Sequence, residues 1–254
     1  MKAALLFLLV NIFLVIPTLG QDSTPTGKNS CITCEELKNL KLPDVRISEV
    51  VKIETGTSHC KVLGTIGKEI NFELLLPTLW NGRFVMGGGG GFVGSIQNMA
   101  RSSVDSGYAT AGTDTGHQAD GLKADWALNN MERQVNFGHL AVHRTAEVSK
   151  ALISHFYCSD AEYSYFIGCS RGGGQAMMEA QRYPEDFDGI VAGAPAFNWP
   201  ANGAEFIQNS QTIYPNPARL NEPVITKENL QLLQALILNY CDVNDGVKEL
   251  VPLK

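Results

Sequence analysis

The chain of 254 residues has no histidine after His155, and its five histidines (His59, His117, His139, His143 and His155) all precede the motif that carries its chemistry. It also lacks a Gly-Lys-Ser/Thr turn, which argues against nucleotide-phosphate cradling, and any Asn-x-Ser/Thr sequon, so N-glycosylation is not expected. No apolar run beyond Ile16 is long enough to span a bilayer. Charge is sparse, at 18% of residues with a net value of -6 and a pI near 5.4, which argues against nucleic acid or an anionic membrane as the main partner. What remains is an ordinary globular composition, 44% hydrophobic, long enough for one large α/β domain or for one domain and part of another.

Residues 1–20 read as a secretory signal peptide. Lys2 supplies the positive start, Ala3 to Ile16 are almost wholly apolar, and Pro17 to Gly20 resemble a cleavage region. An uncleaved anchor is the competing reading; the short run without a stop-transfer flank favours cleavage near Gln21 and a secreted, extracellular protein. In that oxidising setting the six cysteines (Cys31, Cys34, Cys60, Cys158, Cys169 and Cys241) are expected to form disulfides. The Cys31-x-x-Cys34 spacing also suits zinc, but no second ligand pair follows at a suitable distance. Pairing of Cys60 with Cys31 or Cys34 is expected.

From residue 46 to 76, short apolar runs punctuated by Gly56, Gly64 and Gly67 predict an antiparallel meander. A strand over Arg83–Met86 runs into five consecutive glycines, Gly87 to Gly91, and another strand over Tyr108–Gly112 ends in the loop Thr113–His117. Apolar residues at three- to four-residue spacing predict a helix over Val135–Phe156, followed by a strand to Ile167, a helix over Gln175–Arg182 stopped by Pro184, and a strand over Gly189–Gly193. That alternation implies a parallel sheet. Residues 197–223, rich in Asn and Pro, break it, and a helix over 226–240 with Thr226 as its N-cap follows.

The run Tyr165 to Gly174 carries the chemistry. A strand enters Gly168-Cys169-Ser170-Arg171-Gly172 and a helix leaves it, the arrangement of a nucleophile elbow, which lifts the serine oxygen above a sheet edge. Ser170 is the candidate nucleophile. An acyl-transfer oxyanion needs two N–H donors: the residue after the serine, Arg171, supplies one, and the glycine run supplies the other, from Gly89 or Gly90. A base is missing. His117 follows a strand, and His139 and His143 open a helix, so these three lie on the sheet edge that bears the elbow, but none occupies a triad position. His155 falls on the other edge, and His59 has no catalytic case.

Several segments in order resemble the tannase and feruloyl esterase family: Trp80–Phe84 with Gly87–Gly91, Gly107–Ala109 with Thr113–His117, Gly168–Gly173, and the run from Glu179 to Pro195. The resemblance covers nearly everything after the signal peptide. It implies an α/β-hydrolase fold of which residues 21–196 are the N-terminal core part and 197–254 the start of an inserted lid. It further implies a serine carboxylic ester hydrolase that acts on esters of aromatic acids, such as ferulic or gallic acid, through an acyl-enzyme. In the family, a cysteine before the nucleophile bonds one after the catalytic histidine; Cys169 matches the first, and Cys241 matches a lid cysteine. The partners of both, with the triad Asp and His, are expected beyond Lys254, so that the chain is incomplete and nearly inactive as written. The alternative is a non-catalytic binder of phenolic esters, or a partner protein, built on the same fold.

The resemblance also implies structural Ca²⁺ in the lid. The ligands would be the side chains of Asp242, Asp245 and Glu249 and the carbonyls of Val247 and Val251, in a segment whose oxygen groups suit a hard cation. Glu249 stands where an Asp is usual and Leu250 where a Gly is usual, which weakens the match. Read without the resemblance, the same stretch is a polar turn after a helix. The oligomeric state is left open.

Overall fold

In a computed structural model the protein is described over residues 27–241 and at Asn244. Three strands, β1 (Val45–Ile53), β2 (His59–Ile66) and β3 (Ile70–Pro77), form the expected antiparallel meander. β3 also pairs antiparallel with β5 (Ala109–Thr113). From there the sheet is parallel: β5 against β4 (Arg83–Gly87), β4 against β6 (Tyr163–Cys169), and β6 against β7 (Gly189–Gly193). The result is a seven-stranded mixed sheet in the order β1-β2-β3-β5-β4-β6-β7. β4 enters between β5 and β6, so the glycine run after it emerges beside the end of β6, where the elbow lies.

The expected helix over Val135–Phe156 begins with a π-turn and is preceded by a further short helix. α1 (Met131–Val135) passes through a π-turn at Asn136–Leu140 into α2 (Ala141–Tyr157). Such a turn widens the helix by one residue and is common near functional sites. α2 lies on β3 and β5, α3 (Arg171–Arg182) on β6 and β7, and the two helices touch. Phe72, Trp80, Phe84, Met86 and Phe166, all fully buried, fill the core. Trp80 stacks on Tyr157, their centroids 4.3 Å apart, and the Tyr157 hydroxyl donates to the Pro77 carbonyl at 2.6 Å.

Cys34 bonds Cys60, one of the two expected pairings, and Cys31 bonds Cys158 at the end of α2. Both members of the Cys31-x-x-Cys34 pair are therefore oxidised and unable to hold zinc. Cys169 and Cys241 are free and exposed.

Two helices depart from the sequence expectation. α3 begins at Arg171, four residues before Gln175, because Gly172, Gly173 and Gly174 join it where a close neighbour demands glycine rather than at a flexible loop. α4 (Trp199–Ile213) forms inside the Asn/Pro-rich stretch. Its start is nevertheless conventional: Asn198 Oδ1 accepts the Ala201 N–H at 3.3 Å, and Pro200 sits in the first turn, where no N–H is needed. α5 (Lys227–Cys241) matches the reading. Thr226 Oγ1 accepts the Asn229 N–H at 3.3 Å while Asn229 Oδ1 accepts the Thr226 N–H at 2.9 Å, a reciprocal cap. Thr226→Ala is expected to cost about 1 kcal/mol locally, seen as faster amide exchange in the first turn of α5 with little change in global melting.

Candidate active site

Ser170 stands between the last residue of β6 and the first of α3, with φ 57° and ψ -120°. A non-glycine residue with positive φ is strained, and here three backbone hydrogen bonds hold it. The Ser170 N–H donates to the Gly193 carbonyl at 3.1 Å, and the Ser170 carbonyl accepts from Gly174 at 3.1 Å and Ala196 at 2.8 Å. The turn leaves Ser170 exposed. Its neighbours must be small: a Cβ on Gly168 would collide with the Gly172 carbonyl, and one on Gly88 would lie 2.7 Å from the Gly172 Cα. The glycine run is thus pressed backbone to backbone against the start of α3.

Arg171 is the first residue of α3, so its N–H has no intrahelical acceptor and none among the described residues, as an oxyanion donor requires. The two glycines singled out from the sequence are a different case. Gly89 N–H donates to Gln175 Oε1 at 3.1 Å and Gly90 N–H to Gln97 Oε1 at 2.8 Å, so both amides are occupied. These side chains brace the loop from opposite directions, which the glycine pattern could not reveal. Gly91, at φ 57°, has no acceptor for its N–H among the described residues and lines the same cavity as Ser170.

The Arg171 side chain turns inward. It is 4% exposed, lies over the Phe137 ring with the guanidinium carbon 4.2 Å from the centroid, and donates to the Phe137 carbonyl. Burial lowers its pKa to about 10, which leaves it charged at neutral pH. Phe137 belongs to the π-turn, so this contact ties that turn to the elbow.

The upstream histidines are engaged elsewhere. His117 is fully buried, stacked on Trp126 with centroids 3.6 Å apart, and its Nε2 lies 2.9 Å from the Phe92 carbonyl; burial depresses its pKa, keeping it neutral. His139 Nδ1 lies 2.7 Å from the Tyr183 hydroxyl, and burial followed by the Arg182 charge depresses its pKa too. His143 Nδ1 lies 2.7 Å from Asp186 Oδ2. Asp114, in the loop that leads to His117, accepts from Asn71, Gly116 and Gln118 and is a structural anchor. Among the described residues the Ser170 hydroxyl has no hydrogen-bond partner.

A cavity of about 360 Å³ opens on Ser170, walled by the glycine loop, Phe92 and Leu122 on one side and α4 on the other. Trp199 and Phe206 of α4, which the sequence reading did not single out, supply its aromatic surface. A larger cavity of about 540 Å³ lies against the two disulfides and holds no comparable nucleophile turn. The Ser170 cavity is the one that chemistry selects. Among the described residues no cluster of three or more His, Cys, Asp or Glu is placed to hold a metal. The candidate calcium ligands Asp242, Asp245, Val247, Glu249 and Val251 lie outside the described residues, as does the signal segment 1–20.

The chain is similar to several known proteins. The family model for tannase and feruloyl esterase matches residues 54–251. A probable feruloyl esterase of Arthroderma benhamiae is 40% identical over 209 residues, covering 79% of this chain and 37% of that protein. A mono(2-hydroxyethyl) terephthalate hydrolase of Piscinibacter sakaiensis is 34% identical over 221 residues, covering 75% and 37%. The crystal structure of feruloyl esterase B from Aspergillus oryzae superposes with a TM-score of 0.70 at 28% identity, over 85% of this chain and 47% of that one. The chain therefore spans less than half the length of these relatives, and on its matched residues and shared α/β-hydrolase architecture it belongs to the tannase and feruloyl esterase family.

Proposed function

We propose that the protein is a secreted serine carboxylic ester hydrolase, acting on esters of aromatic acids of the feruloyl or galloyl type through an acyl-enzyme. The observation that carries this reading is the strained Ser170 turn at the mouth of a mostly apolar, aromatic-walled cavity. Ser170 Oγ would attack the ester carbonyl, and the free N–H groups of Arg171 and Gly91 would receive the oxyanion. The two disulfides fit an extracellular setting. Residues 197–254 are read as the beginning of a lid, with α4 as the part of it that reaches the cavity.

The proton on Ser170 is the weak point of this chemistry. Among the described residues the ring nitrogens of His117, His139 and His143 contact the Phe92 carbonyl, the Tyr183 hydroxyl and Asp186 rather than Ser170, so these residues alone supply no positioned base, and their turnover is expected to fall by about 10⁴-fold or more relative to a complete triad. That same observation favours a second reading, a non-catalytic binder of phenolic esters.

The two readings separate on purified protein given methyl ferulate and methyl gallate, with Ser170→Ala alongside. Slow hydrolysis that disappears in the variant, together with a fluorophosphonate adduct on Ser170, supports the esterase. Saturable binding without either supports the binder. Neither binding nor turnover of either ester would sink both.

A further inference from the structure

α4 turns one face to the Ser170 cavity. Trp199, Asn202, Gly203 and Phe206 all line it, at offsets of three, four and seven residues, the spacing of a single helical stripe. Trp199 stacks on Phe92 with centroids 5.4 Å apart, so this wall is aromatic and braced from the core side. Among the described residues, the only amide or hydroxyl side chain lining the cavity besides Ser170 is that of Asn202. It is half-buried, and among the described residues its amide has no hydrogen-bond partner. Next to it Gly203 leaves room: a Cβ there would meet nothing within 4 Å.

We infer that Asn202 is a specificity-determining residue, its side-chain amide reading a neutral hydroxyl on the ring of a bound aryl ester; the inference rests on the esterase or ester-binding reading of this cavity. The chemistry follows from what the walls contain. An amide both donates and accepts, which matches a hydroxyl that does both. Among the described residues no Lys, Arg or His lines the cavity, so against these walls a ring bearing a carboxylate would lose its hydration without gaining a counter-charge. These walls therefore favour hydroxylated neutral rings over unsubstituted ones and disfavour carboxylated ones. Gly203 provides the space in which the ring lies against α4.

The test uses the full chain carrying Ser170→Ala, so that ligands are not turned over, with binding measured by calorimetry. The probes are methyl 4-hydroxycinnamate, methyl cinnamate and monomethyl terephthalate. The expected order is the hydroxycinnamate tightest and the terephthalate weakest. Adding Asn202→Leu should weaken the hydroxycinnamate about tenfold and leave methyl cinnamate within about twofold. Adding Gly203→Leu should remove binding of both esters while preserving the melting temperature, since its side chain enters open space on a helix. If Asn202→Leu affects the two cinnamates equally or not at all, the role of Asn202 is overturned and the aryl-ester cavity stands. If none of the probes binds and Gly203→Leu changes nothing, the cavity reading falls with it.

Discussion

Gly168→Ala is expected to destabilise the protein by more than about 3 kcal/mol and to abolish reagent access to a correctly formed Ser170. The added methyl carbon would lie far inside van der Waals contact with the Gly172 carbonyl oxygen, with the Gly172 Cα only 2.8 Å away. Both obstacles are backbone, so no side chain can swing aside. Relief requires moving the start of α3 away from β6, and that would break the Ser170 N–H bond to Gly193 and the contact of the glycine loop with Gly172. Gly203→Ala is the matched control. It meets no neighbour and removes a glycine from a helix interior, so it should be neutral or stabilising by up to about 1 kcal/mol. Urea unfolding of both variants is the measurement, and a Gly168→Ala midpoint close to that of the natural protein would refute the account of the turn.

The second large effect concerns Glu179, on the buried side of α3. It is fully buried, and neither carboxylate oxygen has a hydrogen-bond donor. Burial, with the nearby Asp186 charge adding to it, raises its pKa to about 9 from 4.5. Between those two values the folded protein keeps a proton that the unfolded chain has released. Stability is therefore complete below pH 4.5 and declines as pH rises toward 9. At pH 7 the loss from this one group is about 3 kcal/mol. Glu179→Gln keeps the shape and cannot ionise, so it should match the natural protein near pH 4.5 and exceed it by about 3 kcal/mol at pH 7. Thermal melting of the pair across that range isolates the effect, because all other titrating groups are common to both. A difference that does not change with pH would show that Glu179 is solvated in the native state.

The parts of this molecule legible in the sequence are those where local chemistry decides. The meander over residues 45–77 shows itself through alternation and glycine turns, and α5 through Thr226. The elbow is legible because strand, Gly-x-Ser-x-Gly and helix occur together. The misjudged parts depend on distant residues. The sequence pattern places the helix after the elbow from Gln175, but it starts at Arg171, and Gly173 and Gly174 are glycines because the Gly193 and Ala196 carbonyls leave no room for a side chain. Gly89 and Gly90 read as oxyanion donors, and the sequence could not reveal that their amides donate to Gln175 and Gln97 in this structure. α4 was hidden by its composition, although Asn198, Pro200 and the spacing of Trp199, Gly203 and Phe206 together encode a capped amphipathic helix. Nothing in the sequence around Glu179 marks it as buried; only the packing of α3 on the sheet makes it a buried acid.

The two disulfides are nested: Cys34–Cys60, separated by 26 residues, lies wholly within the 127-residue interval that Cys31–Cys158 closes. The inner bond needs only the meander β1–β2 and the segment before it, contacts local enough to form early. The outer one must await α2, whose end carries Cys158, and its entropic loop-closure cost is greater by about 1.4 kcal/mol. Oxidation should thus proceed from the inside outward, and with neither loop threading the other's ends, the correct pairing can be reached without a bond being broken and remade.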